Sequence, residues 1–138
     1  MGMERIDLRS IADKWLAAFA PDADADALAK YVTGEYNFLW HIFSWELVPC
    51  LEEDAAREAF DALAYESAIL FRLGQRRNGE FALRDVSIVG KISAAELDSP
   101  VDTYVTAPDF AWTYVHTHED CCGPYFCRRK VPSSFPTR

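Results

Sequence analysis

The sequence predicts one α+β domain: a mixed, mostly antiparallel sheet of about five to six strands, packed by N-terminal and interspersed helices. Three observations lead there. Apolar residues recur at helical spacing early in the chain and at strand spacing through most of the rest. The strand-like runs follow one another through short connections, which favours antiparallel neighbours. The 138 residues, half of them hydrophobic and 14% aromatic, suffice for one real core and give no sign of a second domain.

Leu8, Ile11, Ala12, Trp15, Leu16 and Phe19 share one helical face, with Asp7 placed as N-cap and Pro21 as terminator. Asp22, Asp24 and Asp26 then open a second helix through Leu28, Tyr31 and Val32, stopped by Gly34. The alternating acids invite a calcium-loop reading, but neither the glycine of the sharp turn nor the closing bidentate glutamate is in place. Residues 36–48 are apolar on both faces and read best as a strand covered on both sides, a buried helix being the alternative. His41, inside that run, is read first as a hydrogen-bonded core histidine and second as a ligand or base.

Glu52, Glu53 and Asp54 start a helix that turns Ala56, Ala59, Phe60 and Leu63 inward. Residues 66–73 form a buried strand, and 74–79 a loop bounded by glycines, whose Arg76-Arg77 pair reads as a solvated charge or a phosphate contact. Glu80–Val89 returns to strand character, and Ser93 with Glu96 has capping-box spacing for a short helix closed by Pro100. Runs 101–106 and 110–118 form a hairpin around Ala107-Pro108-Asp109, and residues 125–127 a returning strand. Residues 128–138 read as an extended C-terminal tail.

Net charge is −8, carried by the first half: residues 1–67 hold 14 acids and 5 bases. Such a surface repels phosphate backbones, so nucleic acid is not the expected partner; a protein partner with a basic surface is. No apolar run is long enough to span a membrane. Residues 1–20 carry Glu4, Asp7 and Asp13 and no signal-peptide core, so a cytoplasmic location is expected, with Cys50, Cys121, Cys122 and Cys127 reduced.

The chemistry-bearing stretch is 110–127, FAWTYVHTHEDCCGPYFC. Strand alternation puts Phe110, Trp112, Tyr114, His116 and His118 on one face, so the two histidines should be neighbours. His116, His118 and Cys122 supply zinc-type ligands, with Glu119 as the base beside a metal-bound water, although no structural zinc spacing is present. Cys122-Gly123-Pro124-Tyr125 resembles the thioredoxin box without its resolving cysteine or its helix. A cysteine–histidine nucleophile lacks an identifiable orienting group. The nucleotide-loop motifs are absent.

The segments FLWHIFSWELVPCLEEDAAREAF and YVTAPDFAWTYVHTHEDCCGPYF resemble a family of small uncharacterised bacterial proteins, domain of unknown function 4275. The matching positions are Trp40, His41, Phe43, Ser44 and Glu46 in the first. In the second they are Trp112, Thr113, Val115, Thr117, His118, Glu119, Gly123, Pro124, Tyr125 and Phe126. The resemblance implies a bacterial, cytosolic, single-domain α+β protein and supplies no activity. His116 and the Cys121-Cys122 doublet fall outside its pattern, which weighs against a shared zinc site.

The reading that follows is a binding protein rather than an enzyme, without a required cofactor. Its surface site is expected around His118, Glu119 and Tyr125, with Trp112, His116 and Glu46 contributing. A small acidic protein that neutralises a basic toxin, as immunity proteins do, is one form of it. The alternative is a metal-assisted hydrolase at the same corner, with His118, Glu119 and His41 as its catalytic candidates.

Overall fold

The computed structural model describes residues 11–97, 99, 101–119 and 122–129. Asp7, Leu8, Pro100, Cys121 and residues 130–138 therefore lie outside the described residues, and with them the predicted first N-cap and most of the tail.

The elements are α1 (Ile11–Phe19), α2 (Ala25–Tyr31), α3 (His41–Ser44), β1 (Leu51–Glu52), α4 (Glu53–Asp61), β2 (Ala68–Arg77), β3 (Glu80–Val89), a 3-10 turn (Ala94–Leu97), β4 (Thr103–Thr106), β5 (Trp112–His116) and β6 (Tyr125–Arg128). The six strands form one sheet in the order β1-β6-β5-β4-β2-β3, antiparallel at every junction. The α+β expectation holds, and the sheet carries no parallel pair.

Local signals act where expected. The Asp24 carboxylate accepts from Ala27 N at 3.0 Å and caps α2. Ser93 and Glu96 close the capping box, with Glu96 Oε2 accepting from Ser93 N at 2.9 Å and from its hydroxyl at 3.0 Å. On α4, Ala56 and Phe60 sit one turn apart on the inward stripe, and Glu53 and Asp54 lie at the positive end of the helix.

Three expectations are corrected. Residues 36–48 are not a strand. Their backbone bonds are local, as in Phe43 N to Trp40 O at 2.9 Å, Trp45 N to His41 O at 3.1 Å and Leu47 N to Ile42 O at 2.9 Å. A run apolar on both faces has no period, so it fixes burial and leaves conformation to its neighbours. Residues 74–77 are not loop: β2 continues to Arg77, and only Asn78 and Gly79 turn, both at positive φ (57° and 84°) as a type I′ hairpin requires. The tail starts later than residue 128, since Arg128 closes β6 and Arg129 N donates to Ala111 O at 2.8 Å.

The sheet is covered on both faces. On one, α1 and segment 32–48 pack Trp15, Val32, Leu39, Trp40, Ile42 and Phe43 against Phe71, Tyr104, Val115 and Tyr125. On the other, Ala56 and Phe60 of α4 with Ala94 and Leu97 cover Leu70, Val105, Trp112, Tyr114 and Phe126. The tip of the β2–β3 hairpin overhangs the sheet, because β4 pairs only with Ile69 to Arg72 of β2. Residues 35–37 hold that overhang. Tyr36 N donates to Arg76 O at 2.7 Å, Arg76 N to Asn37 O at 2.9 Å, and both turn amides, Asn78 N and Gly79 N, to the Glu35 carboxylate at 2.8 and 3.0 Å. Those two amide bonds hold the Glu35 carboxyl below its ordinary range.

Candidate functional site

The site is organised by Asp102, one residue before β4 begins. Its side chain is buried, and its oxygens are fully engaged. Oδ2 accepts from the Trp40 indole Nε1 at 3.0 Å, and Oδ1 accepts from His118 N at 2.6 Å and faces His118 Nδ1 at 2.8 Å. A buried carboxylate persists only with such partners. Trp40 is fixed from a second side, its backbone N–H donating to the Tyr104 hydroxyl at 3.1 Å. Burial, then the Asp102 charge, raise the pKa of that phenol far above its ordinary value.

Asp102 fixes the orientation of the His118 ring, which lies against Phe38 (centroids 4.9 Å) and Trp40 (6.0 Å). A carboxylate bonded to Nδ1 selects the tautomer and leaves Nε2 as the working nitrogen. Glu119 Oε2 lies 3.5 Å from Nε2. His41 borders the same group: its ring packs on Trp40 at 4.5 Å and its Nδ1 lies 2.8 Å from Ser44 Oγ. Burial lowers the pKa of the His41 imidazole, against the opposing pull of Glu119 and Asp102.

Beside this group lies a cleft of about 520 Å³. Phe38, Val101, Asp102 and His118 line it, together with Gln75, Arg77 and Arg84 of the overhanging hairpin. Arg77 stacks over the Tyr36 ring at 5.5 Å and donates to Gln75 Oε1 at 3.2 Å. Arg84 makes no ion pair among the described residues. The arrangement offers two guanidinium groups, one apolar wall and one oriented imidazole.

The predicted site residues separate into two groups. The structure brings His118, Glu119 and His41 into one neighbourhood. His116 does not join them: its Nε2 lies 2.6 Å from Ser99 O on the other side of the strand end. Alternation fails there because β5 stops at His116. Thr117 then folds the chain over, its hydroxyl within hydrogen-bond reach of both Glu119 O, at 3.1 Å, and Cys122 O. Cys122 Sγ reaches Glu119 Oε1 at 3.5 Å, and no three His, Cys, Asp or Glu side chains converge as metal ligands among the described residues. The His116-His118-Cys122 zinc set is therefore not assembled. Trp112 and Tyr125, expected at a binding surface, are core residues: Trp112 packs on Tyr65 and Phe60, Tyr125 on Phe43 and Trp40. Glu46 is exposed in a left-handed turn (φ 58°) and is not part of the cleft lining.

The sequence alone does not single out Asp102, although it carries a signal: an acid inside the alternating run 101–106. Nor does it single out Arg84, since a charge on a strand marks only a solvated side. Cys122-Gly123-Pro124-Tyr125 leads into β6, so the helix that activates a thioredoxin thiol is replaced by a strand.

No helix among the described residues is long and apolar enough to cross a membrane. The family model for a domain of unknown function (DUF4275) matches residues 8–126, and the chain belongs to that family. No curated protein and no solved structure matches it.

Proposed function

We propose that this DUF4275 chain is a non-enzymatic binding protein whose site is the cleft over His118, and that its ligand is a small organic anion. One observation carries the reading: Arg77 and Arg84 line the same cleft of about 520 Å³ as an imidazole that a buried carboxylate holds in place. Guanidinium groups favour carboxylates and phosphate esters, Phe38 gives an apolar surface for the ligand body, and His118 supplies an oriented hydrogen-bonding group. The chain is taken as cytoplasmic, where its thiols stay reduced.

Isothermal titration with phenyl phosphate and benzoate, against choline as a cationic control, tests it. Either anion should bind saturably, and Arg84→Ala should weaken binding by about tenfold or more, as loss of one charge-assisted hydrogen bond implies. Arg84 is exposed, so the variant keeps the fold. Equal affinity in wild type and variant, or no heat with either anion, would remove the reading.

A second reading rests on α4, whose outward residues Glu53, Asp54, Glu58 and Asp61 are exposed beside Glu52. Arg57 pairs with Asp54 at 2.7 Å, and Asp61 Oδ1 accepts from Ala94 N at 2.8 Å. This acidic surface suits a basic protein partner, in the manner of an immunity protein. Charge reversal of Glu52 and Glu53 that leaves every captured partner bound counts against it.

A further inference from the structure

Cys50 and Cys127 face each other across the β1–β6 pair. Leu51 is opposite Phe126 and Glu52 opposite Tyr125. Extending that register by one residue sets Cys50 opposite Cys127. The hydrogen-bonding parity is fixed as well: Glu53 N donates to Pro124 O at 2.9 Å, so 53/124 and 51/126 are the hydrogen-bonded pairs. The positions 52/125 and 50/127 are then the non-hydrogen-bonded ones. Residues at such positions have Cα atoms about 4.5 Å apart and side chains at closest approach, within the span of about 4.4–6.8 Å that a disulfide bridges. The side chains also share a face. Cys127 belongs to the core on the α1 side of the sheet, and Cys50 packs against that same core. Both are free thiols.

We propose that Cys50 and Cys127 form a reversible cross-strand disulfide when the protein meets an oxidising low-molecular-weight disulfide such as glutathione disulfide. Cys50 is the more accessible and attacks first. Its thiolate attacks one reagent sulfur, the reagent S–S bond breaks, and one glutathione leaves as a thiol with the proton that Cys50 lost. The Cys127 thiolate then attacks the Cys50 sulfur of the mixed disulfide. The Cys50–Cys127 bond forms and the second glutathione leaves, taking up the proton from Cys127. Two protein thiols are oxidised and one glutathione disulfide is reduced to two thiols.

The surroundings suit a slow, selective reaction. A cleft of about 430 Å³ lined by Phe19, Leu47, Val48, Pro49 and Cys127 opens beside the pair. Burial pushes the Cys50 thiol up to about 12 and the Cys127 thiol up to about 11. At neutral pH few thiolates exist, so the pair stays reduced under ordinary conditions and responds to sustained oxidant. The bond would clamp β1, the two-residue edge strand that joins segment 36–48 to α4. Segment 36–48, which carries Trp40 and His41, would then be tied covalently to the sheet.

The test is incubation of the folded protein with glutathione disulfide, followed by alkylation of residual thiols and peptide mapping without reduction. A Cys50–Cys127 linked peptide is expected, with a formation rate rising about tenfold per pH unit between about pH 7 and 9, as the thiolate fraction does. The linked form should show a higher urea midpoint that dithiothreitol reverses. Cys122→Ser should leave the link intact, and Cys50→Ala or Cys127→Ala should abolish it. Persistent free thiols at both positions, stable glutathione adducts, or links confined to Cys121 or Cys122 would each overturn the proposal.

Discussion

The α1 face of the sheet buries more aromatic side chains than the α4 face, and it uses them differently. On the α4 face, Phe60 stacks on Tyr114 at 4.2 Å with planes 11° apart, and Trp112 packs on Tyr65 at 5.1 Å. On the α1 face, the large side chains also carry polar bonds through the core. The Trp15 indole donates to Thr113 Oγ1 at 2.9 Å, the Trp40 indole to Asp102, and Trp40 N to the Tyr104 hydroxyl. Packing tolerates several arrangements of similar volume, whereas hydrogen bonds of this length admit few. The face with the polar network therefore fixes orientations, and the oriented His118 ring lies there. The α4 face supplies burial.

Two substitutions would break or sharpen that contrast. Phe60→Ala empties the centre of the α4 face and should cost about 4 kcal/mol in urea unfolding. The amide and ring signals of His118 should stay in place in NMR spectra of the folded fraction, because no polar bond of the cleft passes through Phe60. Asp102→Ala should cost somewhat less, about 3 kcal/mol, by leaving the buried Trp40 N–H and the His118 donors without an acceptor. Its effect on the cleft should be larger: the His118 ring loses its orientation and anion binding weakens with it. If Phe60→Ala shifts the His118 signals as much as Asp102→Ala does, the two faces are not functionally distinct.

The same contrast explains what the sequence made legible. Features decided within a few residues were readable: the Asp24 cap, the Ser93–Glu96 box, the bounds of β3 and the inward stripe of α4. The Asn78-Gly79 turn was equally local and was overlooked in favour of the flanking Gly74, which lies within β2 near its register irregularity. What lay beyond reach depends on contacts distant in sequence. Segment 36–48 has no period of its own, and its shape follows from the surface it covers. Asp102 becomes an organiser only when Trp40 and His118 arrive from 62 and 16 residues away. His116 and His118 separate because Thr117 bonds forward to the carbonyls of Glu119 and Cys122, which strand alternation cannot anticipate.

The smallest predicted effect is a pH dependence confined to the α1 face. The pKa of the half-buried His41 imidazole lies below its ordinary value of 6.5, partial burial being the larger cause and the charges of Glu119 and Asp102 opposing it. As pH falls, the unfolded chain takes up this proton before the folded one. The contribution of His41 is thus fully present above about pH 6.5 and is lost as pH falls through the lower folded value. Urea midpoints measured from about pH 7.5 to pH 5.5, above most carboxylate titration, should decline for the wild type and decline less for His41→Gln. Gln retains a hydrogen-bonding group for Ser44 and cannot be protonated. Phe60→Ala should lower the whole curve without changing its slope, since nothing on the α4 face touches His41. A slope that flattens equally in both variants would place the titrating group elsewhere and remove His41 from the polar network.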